Sequence, residues 1–406
     1  MTVDSAVLRD RLVAEIRRRR PEFEAAGAAA EVLRTLPPSA VDTLRSLGLF
    51  WLKTPAELGG TPLDPVDFCD VLEELAYCDG ATAWTAMVGN GGTGTAGGWL
   101  PDKGARRVFD RVFDTERLRP LVVGTPGPRG VGHRVDGGYV VSGRWGFASG
   151  IAQADWVIGG FRVPGVAGTA GAAGSLGAGS LGAGVADRLM VAIVPRSQAQ
   201  VIDTWHVAGL QGTGSFDFRL DEVFVPVELT FERAASACRG GALFRQEAHV
   251  FLSNELPPLA VGIARRALDD MTVLAGGTTR FPGGPLVAER AVFHKELGRA
   301  EARLRAARLV HRDAVRHAYE AARLGGSLDS LEGAHIAIAA ASVYAVETCT
   351  DVVTDLFRYG GGRVLSRSSP MQRYLRDCLA TRQHIALSDE NYERAGRYRL
   401  SASASE

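Results

Sequence analysis

Between residues 119 and 232 the sequence leaves helical spacing for short β-rich runs, and helical patterns stand on both sides of that stretch. The runs are LVVG, GYVVSGRWGF, DWVIGGF, LMVAIVP, SFDFRL and EVFVP, cut by Gly, Pro and Asp. Phe216, Phe218 and Leu220 alternate onto one face, as a half-buried strand requires. Helices, then strands, then helices describe a segregated α+β chain. The expected division is a helical domain at 1–118, a β-domain at 119–232 and a helical bundle at 233–406, with the β-domain antiparallel and sandwich- or barrel-like. A chain of 406 residues can bury a core large enough for these modules. The tract GVAGTAGAAGSLGAGSLGAGVA at 165–186 interrupts the β-domain and reads as a flexible surface insertion. It contains no G-x-x-x-x-G-K-[ST], so its glycines are not those of a phosphate loop.

The flanking helices are legible from spacing. Val41, Leu44 and Leu47 recur at helical intervals after Ser39, and Gly48 offers a stop. Phe68, Val71, Leu72 and Leu75 form one stripe, with Asp64 and Pro65 as N-cap and first helical position. The small-residue stretch ATAWTAMVGNGGTGTAGG suits either close packing against a neighbour or a cofactor surface. In the third region ELPPLAVGIARRALDDMTVLA reads as a long helix with Pro257 and Pro258 in its first turn. A second, nearly continuous helix places Leu297, Leu304 and Val310 roughly on one face. LEGAHIAIAAASVYAVETCTDVVTDLF reads as a buried third helix, and a fourth begins near Pro370 and runs past His384. Long helices with short links make a bundle.

Charge and cysteine content narrow the function. Lys plus Arg and Asp plus Glu both number 46, so no basic surplus favours nucleic acid. Five cysteines with no C-x-x-C spacing argue against a disulfide scaffold and fit a reducing cytoplasm. MTVDSAVLRDRL lacks the apolar core of a signal peptide, and no run of 18 apolar residues predicts a membrane span. No histidine pair has H-E-x-x-H spacing, and none combines with cysteine as a zinc site would, so no metal is expected.

Three segments could carry chemistry. AGLQGTGS at 208–215 is a Gly-rich loop between strands. Gly212, Thr213 and Ser215 offer backbone N–H groups and hydroxyls to an anion or to the polar edge of a heterocycle, or simply form a turn. In WGFASG at 145–150, Trp145 and Phe147 alternate toward one side with Ser149 beside them, which suits a planar ring or an ordinary core. His384 can act as acid or base if it faces a pocket.

PAELGG, VSGRWGFASG, WHVAGLQGTGS followed by DEVFVP, AVGIARRALD and SSPMQRYLRDCLATRQH, in that order over residues 10–396, resemble the acyl-CoA dehydrogenase superfamily. Within it the chain is most similar to the two-component flavin-dependent monooxygenases. An acyl-CoA dehydrogenase usually carries its catalytic Glu two residues before the proline of an E-x-P-x-x-R-x-x-R-D pattern. Here the pattern reads Ser368, Ser369, Pro370, with Arg373, Arg376 and Asp377 retained. A hydroxyl cannot readily take an acyl α-proton, so the substitution speaks against desaturation.

The resemblance implies an N-terminal helical domain, a central β-domain and a C-terminal four-helix bundle. It implies reduced FMN or FAD delivered by a separate NAD(P)H flavin reductase, dioxygen, and a small aromatic, polyketide-like or amino-sugar substrate. Trp145, Phe147, Ser149, Gly212, Thr213, Ser215 and Arg376 would line the flavin, and His384 would stand at its reactive edge. It also implies a homotetramer in which Arg280, Phe281, His294, Gly360 and Gly361 lie near a partner's cofactor, with Arg280 on a flavin phosphate. Two departures stand out. Asn90 occupies the region where some members place a second histidine, and it can hydrogen-bond but cannot be a base. Glu255 sits where some branched-acyl-CoA dehydrogenases place their base, so desaturation through Glu255 is the alternative activity; its plainer role is a first-turn carboxylate before Pro257. A non-catalytic flavin-binding relative is the third possibility.

Overall fold

The computed structural model describes residues 4–109, 119–165, 187–246, 248–325 and 329–403; most of the Gly/Ala tract, 166–186, lies outside the described residues. Six helices come first: α1 Ser5–Arg18, α2 Arg20–Leu33, α3 Pro38–Ser46, α4 Pro65–Cys78, α5 Gly80–Trp99 and α6 Asp102–Phe109. Proline at the first positions of α3 and α4 starts each helix where a missing N–H costs nothing. Asp64 is the N-cap residue of α4 by position, but its carboxylate accepts from Tyr319 Oη instead of capping the helix.

The strands are β1 Val122–Val135, β2 Gly138–Trp145, β3 Trp156–Val163, β4 Arg188–Pro195, β5 Gln200–Ile202, β6 Asp217–Pro226 and β7 Thr230–Glu232. They form one seven-stranded sheet in the order β5-β6-β2-β1-β3-β4-β7. All pairs are antiparallel except β1 with β3, which is parallel and departs from the antiparallel expectation. β1 serves two partners: its first part pairs with β3 and its last part with β2, and the register shifts around Pro128. Proline removes ladder N–H groups there, so the strand bulges and the sheet can bend.

Trp145 fills the inside of that bend. It is fully buried, stacks on Phe218 at 5.0 Å and donates Nε1–H to Gly160 O at 2.8 Å. A Cβ at Gly130 or Gly143 would stand 2.5 or 2.8 Å from its indole, so these glycines exist to admit it. Trp145 is therefore a core pillar and not a ring wall at a pocket. β2 ends at Trp145, and the alternation that would have placed Phe147 beside it is lost.

The bundle comprises α7 Ala248–Ser253, α8 Leu256–Ala275, α9 Ala291–Arg323, α10 Glu332–Phe357, α11 Pro370–Arg382 and α12 Glu390–Ser403. α9 buries Phe293, Ala300, Leu304, Ala307, His311 and Val315; Val310 is 46% exposed and lies off that face, contrary to the expected stripe. Glu73 of α4 is buried among Arg265, Arg308 and Arg312 and ties α4 to α8 and α9. Burial pushes its carboxyl up, but the three guanidiniums outweigh burial and hold it below the usual range. Helix α10 is long and apolar enough to cross a membrane, although the sequence contains no unbroken apolar run of that length. Its apolar window is 72% buried in this fold, where it packs on α8, α9 and α11.

The small residues of α5 allow close approaches to neighbouring backbone. A Cβ on Gly92 would lie 2.1 Å from Val122 O, and one on Gly94 would lie 2.7 Å from Lys53 O. Backbone cannot retreat as a flexible side-chain end can. Gly92→Ala should therefore destabilise the chain by about 1–3 kcal/mol, read as a lower midpoint in urea. A midpoint equal to wild type would show that α5 and β1 separate freely.

Candidate functional site

Close packing covers α5 almost entirely, and only Trp84 and Val88, one turn apart, are partly open. The Trp84 indole reaches the turn after β2, where Nε1–H donates to Ser149 Oγ at 3.0 Å. That turn carries Phe147 in the left-handed region at φ 61° and 73% exposed, followed by Gly150 at φ 76°. A bulky residue held there is strained, and its exposed ring adds an apolar cost. The ring stands edge-on to Trp205 at 6.1 Å.

The 211–215 loop is laced to the same turn. Ala148 N donates to Phe216 O at 3.0 Å and Gly150 N to Thr213 O at 2.9 Å. Ser149 Oγ lies 2.6 Å from Ser215 Oγ, which lies 2.6 Å from Thr213 Oγ1, and Thr213 donates onward to Leu210 O at 2.9 Å. Gly212 packs against Ala30 and Ala81, so its role is close approach of the loop to α2 and α5. The N–H groups of Gly214 and Ser215 meet no acceptor among the described residues. Aromatic faces at Trp84, Phe147 and Trp205, hydroxyls between them and two unpaired N–H groups form a hydrogen-bonding and stacking set that fits the polar edge and flat face of a flavin.

His384 joins this cluster. It lies past the end of α11, not on it, and caps the short turn Ile385–Leu387. Its ring meets Trp84 in a T-shaped contact, centroids 5.9 Å apart at 67°. Ala386 N donates to Nδ1 at 3.2 Å, so the neutral imidazole carries its proton on Nε2.

Helix α11 holds the loop from behind. Asp377 is buried, and its Oδ1 accepts from Leu210 N at 2.6 Å, which helps keep Leu210 in the left-handed region at φ 52°. A Cβ on Gly209 would stand 2.1 Å from Arg376 O. Arg376 bonds Ala208 O, Gln372 Oε1 at 2.7 Å and Glu31 Oε1 at 2.7 Å. Its guanidinium is committed to these protein partners, so it positions the loop instead of binding flavin.

Burial pushes the Asp377 carboxyl up to about 7; the Leu210 N–H and Arg373 oppose this, while Asp79 and Glu31 add to it. A carboxyl raised by folding gives stability that is full below its unfolded value and lost as pH rises through the folded one. Between about pH 4 and 7 wild type should therefore lose stability that Asp377→Asn does not. Thermal midpoints of both proteins across that range check this, and parallel slopes would refute it.

The other expected residues lie elsewhere. Asn90 is fully buried; its amide accepts from Leu52 N at 2.7 Å and donates to Leu49 O and Ala86 O at 2.6 and 2.8 Å. It anchors the 49–52 segment to α5 and has no role at an open site. Ser368 is exposed, its hydroxyl 2.8 Å from Ser366 Oγ. Glu255 does not cap α8. It is buried in an ion pair with Lys53, whose Nζ also bonds Phe251 O and sits 4.0 Å from the centre of the Phe251 ring. Asn254 donates to its second oxygen at 3.0 Å.

Arg280 and Phe281 stand exposed on the connection between α8 and α9, where Arg280 donates to Arg358 O at 3.3 Å. His294 Nε2 lies 2.6 Å from Ala288 O, and Gly360 and Gly361, the latter at φ 63°, follow α10. Arg280, Arg290 and Arg358 with Glu296 and Asp355 line a cleft of about 210 Å³. A larger concavity of about 600 Å³ between α1, α3 and Arg119 shares no residue with either group.

Spacing did not single out Trp84, Lys53 or Asp377 as site or core partners. A lone tryptophan in eighteen mostly small residues was the one available signal for Trp84. Lys53 carried none, because its partners are remote in sequence, and Asp377 was visible only as the retained last residue of the R-x-x-R-D pattern.

Two family models and several known proteins match this chain. The acyl-CoA dehydrogenase N-terminal domain family matches residues 8–96, and the acyl-CoA dehydrogenase C-terminal domain family matches 256–389. The FADH(2)-dependent resorcinol hydroxylase oxygenase component of Rhizobium sp. is 30% identical, over 90% of this chain and 88% of that protein. The indole-3-acetate monooxygenase of Pseudomonas putida is 27% identical, over 89% of this chain and 87% of its own length. XiaF from Streptomyces sp., solved with FADH2 and glycerol, superposes with a TM-score of 0.86 at 23% identity, covering 98% of this chain and 96% of that one.

Proposed function

The chain belongs to the acyl-CoA dehydrogenase family, in its flavin-dependent monooxygenase branch, and on that footing we propose that it is the oxygenase component of a two-component system. It takes reduced FMN or FAD from a separate NAD(P)H flavin reductase and, with dioxygen, hydroxylates or N-oxidises a small aromatic, polyketide-like or amino-sugar metabolite. The observation that carries this reading is the junction of His384, Trp84 and Ser149, three residues from three parts of the chain gathered at one partly open spot.

Bound reduced flavin supplies the electrons with which dioxygen is activated and one oxygen atom transferred. The protein's part is placement and exclusion. Phe147, Trp205 and Trp84 flank the ring and keep water from it. Ser149 and the 212–215 loop hold its polar edge. His384, with its proton on Nε2, donates or takes a proton at the reacting edge or at a phenol or amine of the substrate. Desaturation is disfavoured because Ser368 offers no carboxylate and Glu255 is spent on Lys53 and Asn254.

Assembly belongs to the same proposal. Four copies associate, and the Arg280, Arg290 and Arg358 cleft, with Phe281, His294, Gly360 and Gly361 nearby, meets the phosphate end of a flavin held mainly by another copy. A cytoplasmic location is consistent with this chemistry and with five unpaired cysteines. The test is incubation with chemically reduced FMN or FAD, oxygen and a panel of phenols, indoles and amino sugars, followed by mass spectrometry. A product heavier by one oxygen atom supports the reading. Flavin bleaching by an acyl-CoA under anaerobic conditions, with no oxygenated product, would replace it with dehydrogenation.

A further inference from the structure

Away from the flavin turn, α1, α3 and Arg119 enclose a cleft of about 600 Å³, a size usual for small-molecule sites, about 300–1,000 Å³. Leu8, Leu47 and Leu52 supply its apolar lining. Two guanidiniums in it are uncommitted to any carboxylate. Arg9, Arg17 and Arg18 of α1 each pair with an acidic residue, whereas Arg11, which lines the cleft, has no partner among the described residues. The Arg119 guanidinium also lacks an acidic partner among them and lies over the Trp51 ring, 5.0 Å from its centroid. The wall that carries Arg119 and Trp51 is fixed. Arg45 is buried and donates to Arg119 O at 2.7 Å, Gln153 O at 3.1 Å and Asp155 Oδ2 at 3.1 Å. Trp51 Nε1–H donates to Pro120 O at 2.8 Å, and Leu52 N donates to Asn90 Oδ1 at 2.7 Å. Asp42, the one carboxylate of the lining, has no cationic partner among the described residues.

We propose that this cleft is a second ligand site, separate from the flavin turn, for a small planar molecule bearing one carboxylate. Each part of that description answers a feature of the lining. Guanidiniums without acidic partners call for an anion, and a carboxylate matches their planar donor geometry. Asp42 opposes a second negative charge, so a monoanion fits where a phosphate dianion does not. The leucines need an apolar body to cover them. Arg119 lies over Trp51 and also lines the cleft, so a flat ring laid on the guanidinium continues the stack. None of the lining residues belongs to the flavin turn, to the His384 turn or to the Arg280 cleft, so both ligands can be held at once.

The test is calorimetric titration of the full chain with naphthoate, with its uncharged amide and with inorganic phosphate, each with and without reduced FMN under anaerobic conditions. Naphthoate should bind saturably and equally well in both cases, and the amide and phosphate should bind more weakly by about tenfold, the scale of a hydrogen bond to a charged group. Arg11→Met should raise the naphthoate Kd by about three- to tenfold, the scale of one net hydrogen bond. Arg11 has no partner to lose, so this variant should fold as wild type does and keeps the question open if Arg119→Met, expected to act alike, does not fold. Asp42→Asn should lower the Kd by about two- to fivefold, the scale of an exposed charge pair. That opposite sign is one that simple loss of structure would not give. Naphthoate held at the reaction site instead would keep its wild-type Kd in folded Arg11→Met and Asp42→Asn proteins, and it would be displaced by FMN if the two shared a seat. Either result overturns the inference and leaves the proposed function standing. No binding to wild type, or an amide that binds as tightly as naphthoate, does the same.

Discussion

His384→Ala should lower the yield of oxygenated product by about 10²–10⁴-fold, the range associated with one positioned acid–base group, while reduced-flavin affinity stays close to wild type. The imidazole contacts Trp84 edge to face, and it is the Trp84 Nε1–H that donates to Ser149 Oγ. Its removal therefore deletes a proton carrier without dismantling the flavin seat. The backbone of the 384–387 turn retains its own bond from Leu387 N to His384 O at 2.8 Å, so the local fold should persist. Product per reduced flavin consumed, measured beside hydrogen peroxide release, separates lost chemistry from lost binding. Product formation at the wild-type rate would remove His384 from the mechanism.

Lys53→Met should destabilise the fold by about 3–5 kcal/mol, the cost of leaving a buried charge without its partner. Glu255 and Lys53 are both almost fully enclosed, and burial already pushes the Glu255 carboxyl above its ordinary range despite the ammonium beside it. Without Lys53 the carboxyl would have to hold its proton, leaving only the Asn254 amide as a polar partner. Replacing both residues by apolar ones, Lys53→Met with Glu255→Leu, should recover most of the loss, because an apolar pair needs no desolvation. Urea denaturation of the single and double variants gives the coupling energy directly. A single variant within 1 kcal/mol of wild type, by the scale of ordinary surface changes, would mean that water reaches Glu255. The pair also bears on chemistry. A carboxyl bonded on both oxygens is poorly placed to take an acyl α-proton.

The two residues illustrate different limits of reading a sequence. His384 was visible as a proton carrier because its residue type announces the chemistry, yet the end of α11 before it was not, and the structure moves it from a helix to a turn cap. Glu255 was visible as a carboxylate at a helix start, where a first-turn role is the ordinary expectation. Its partner lies 202 residues away, beyond any local pattern. Trp145 shows a third kind of failure. Strand alternation placed it with Phe147, but a left-handed residue at 147 ended the alternation, and Gly143 on its own strand with Gly130 and Gly159 on β1 and β3 made a pocket for the indole inside the sheet.

The sequence by itself determined the order of helix, strand and helix, because periods of 3.6 and 2 record which face of each element must leave water. It also determined the helix starts at Pro65 and after Glu255, and the presence of hydroxyls at Ser149, Thr213 and Ser215, since proline geometry and residue type are local properties. Only the tertiary structure decided what those groups do. Trp84 meets Ser149 across 65 residues and Asp377 meets Leu210 across 167, and both contacts depend on how α5, α11 and the sheet pack. The chain of hydroxyls at Ser149, Ser215 and Thr213 depends on the same packing. A one-dimensional pattern encodes burial and local backbone preference. The partner that satisfies a buried polar group is set by long-range packing, and in this chain that packing shaped the candidate site.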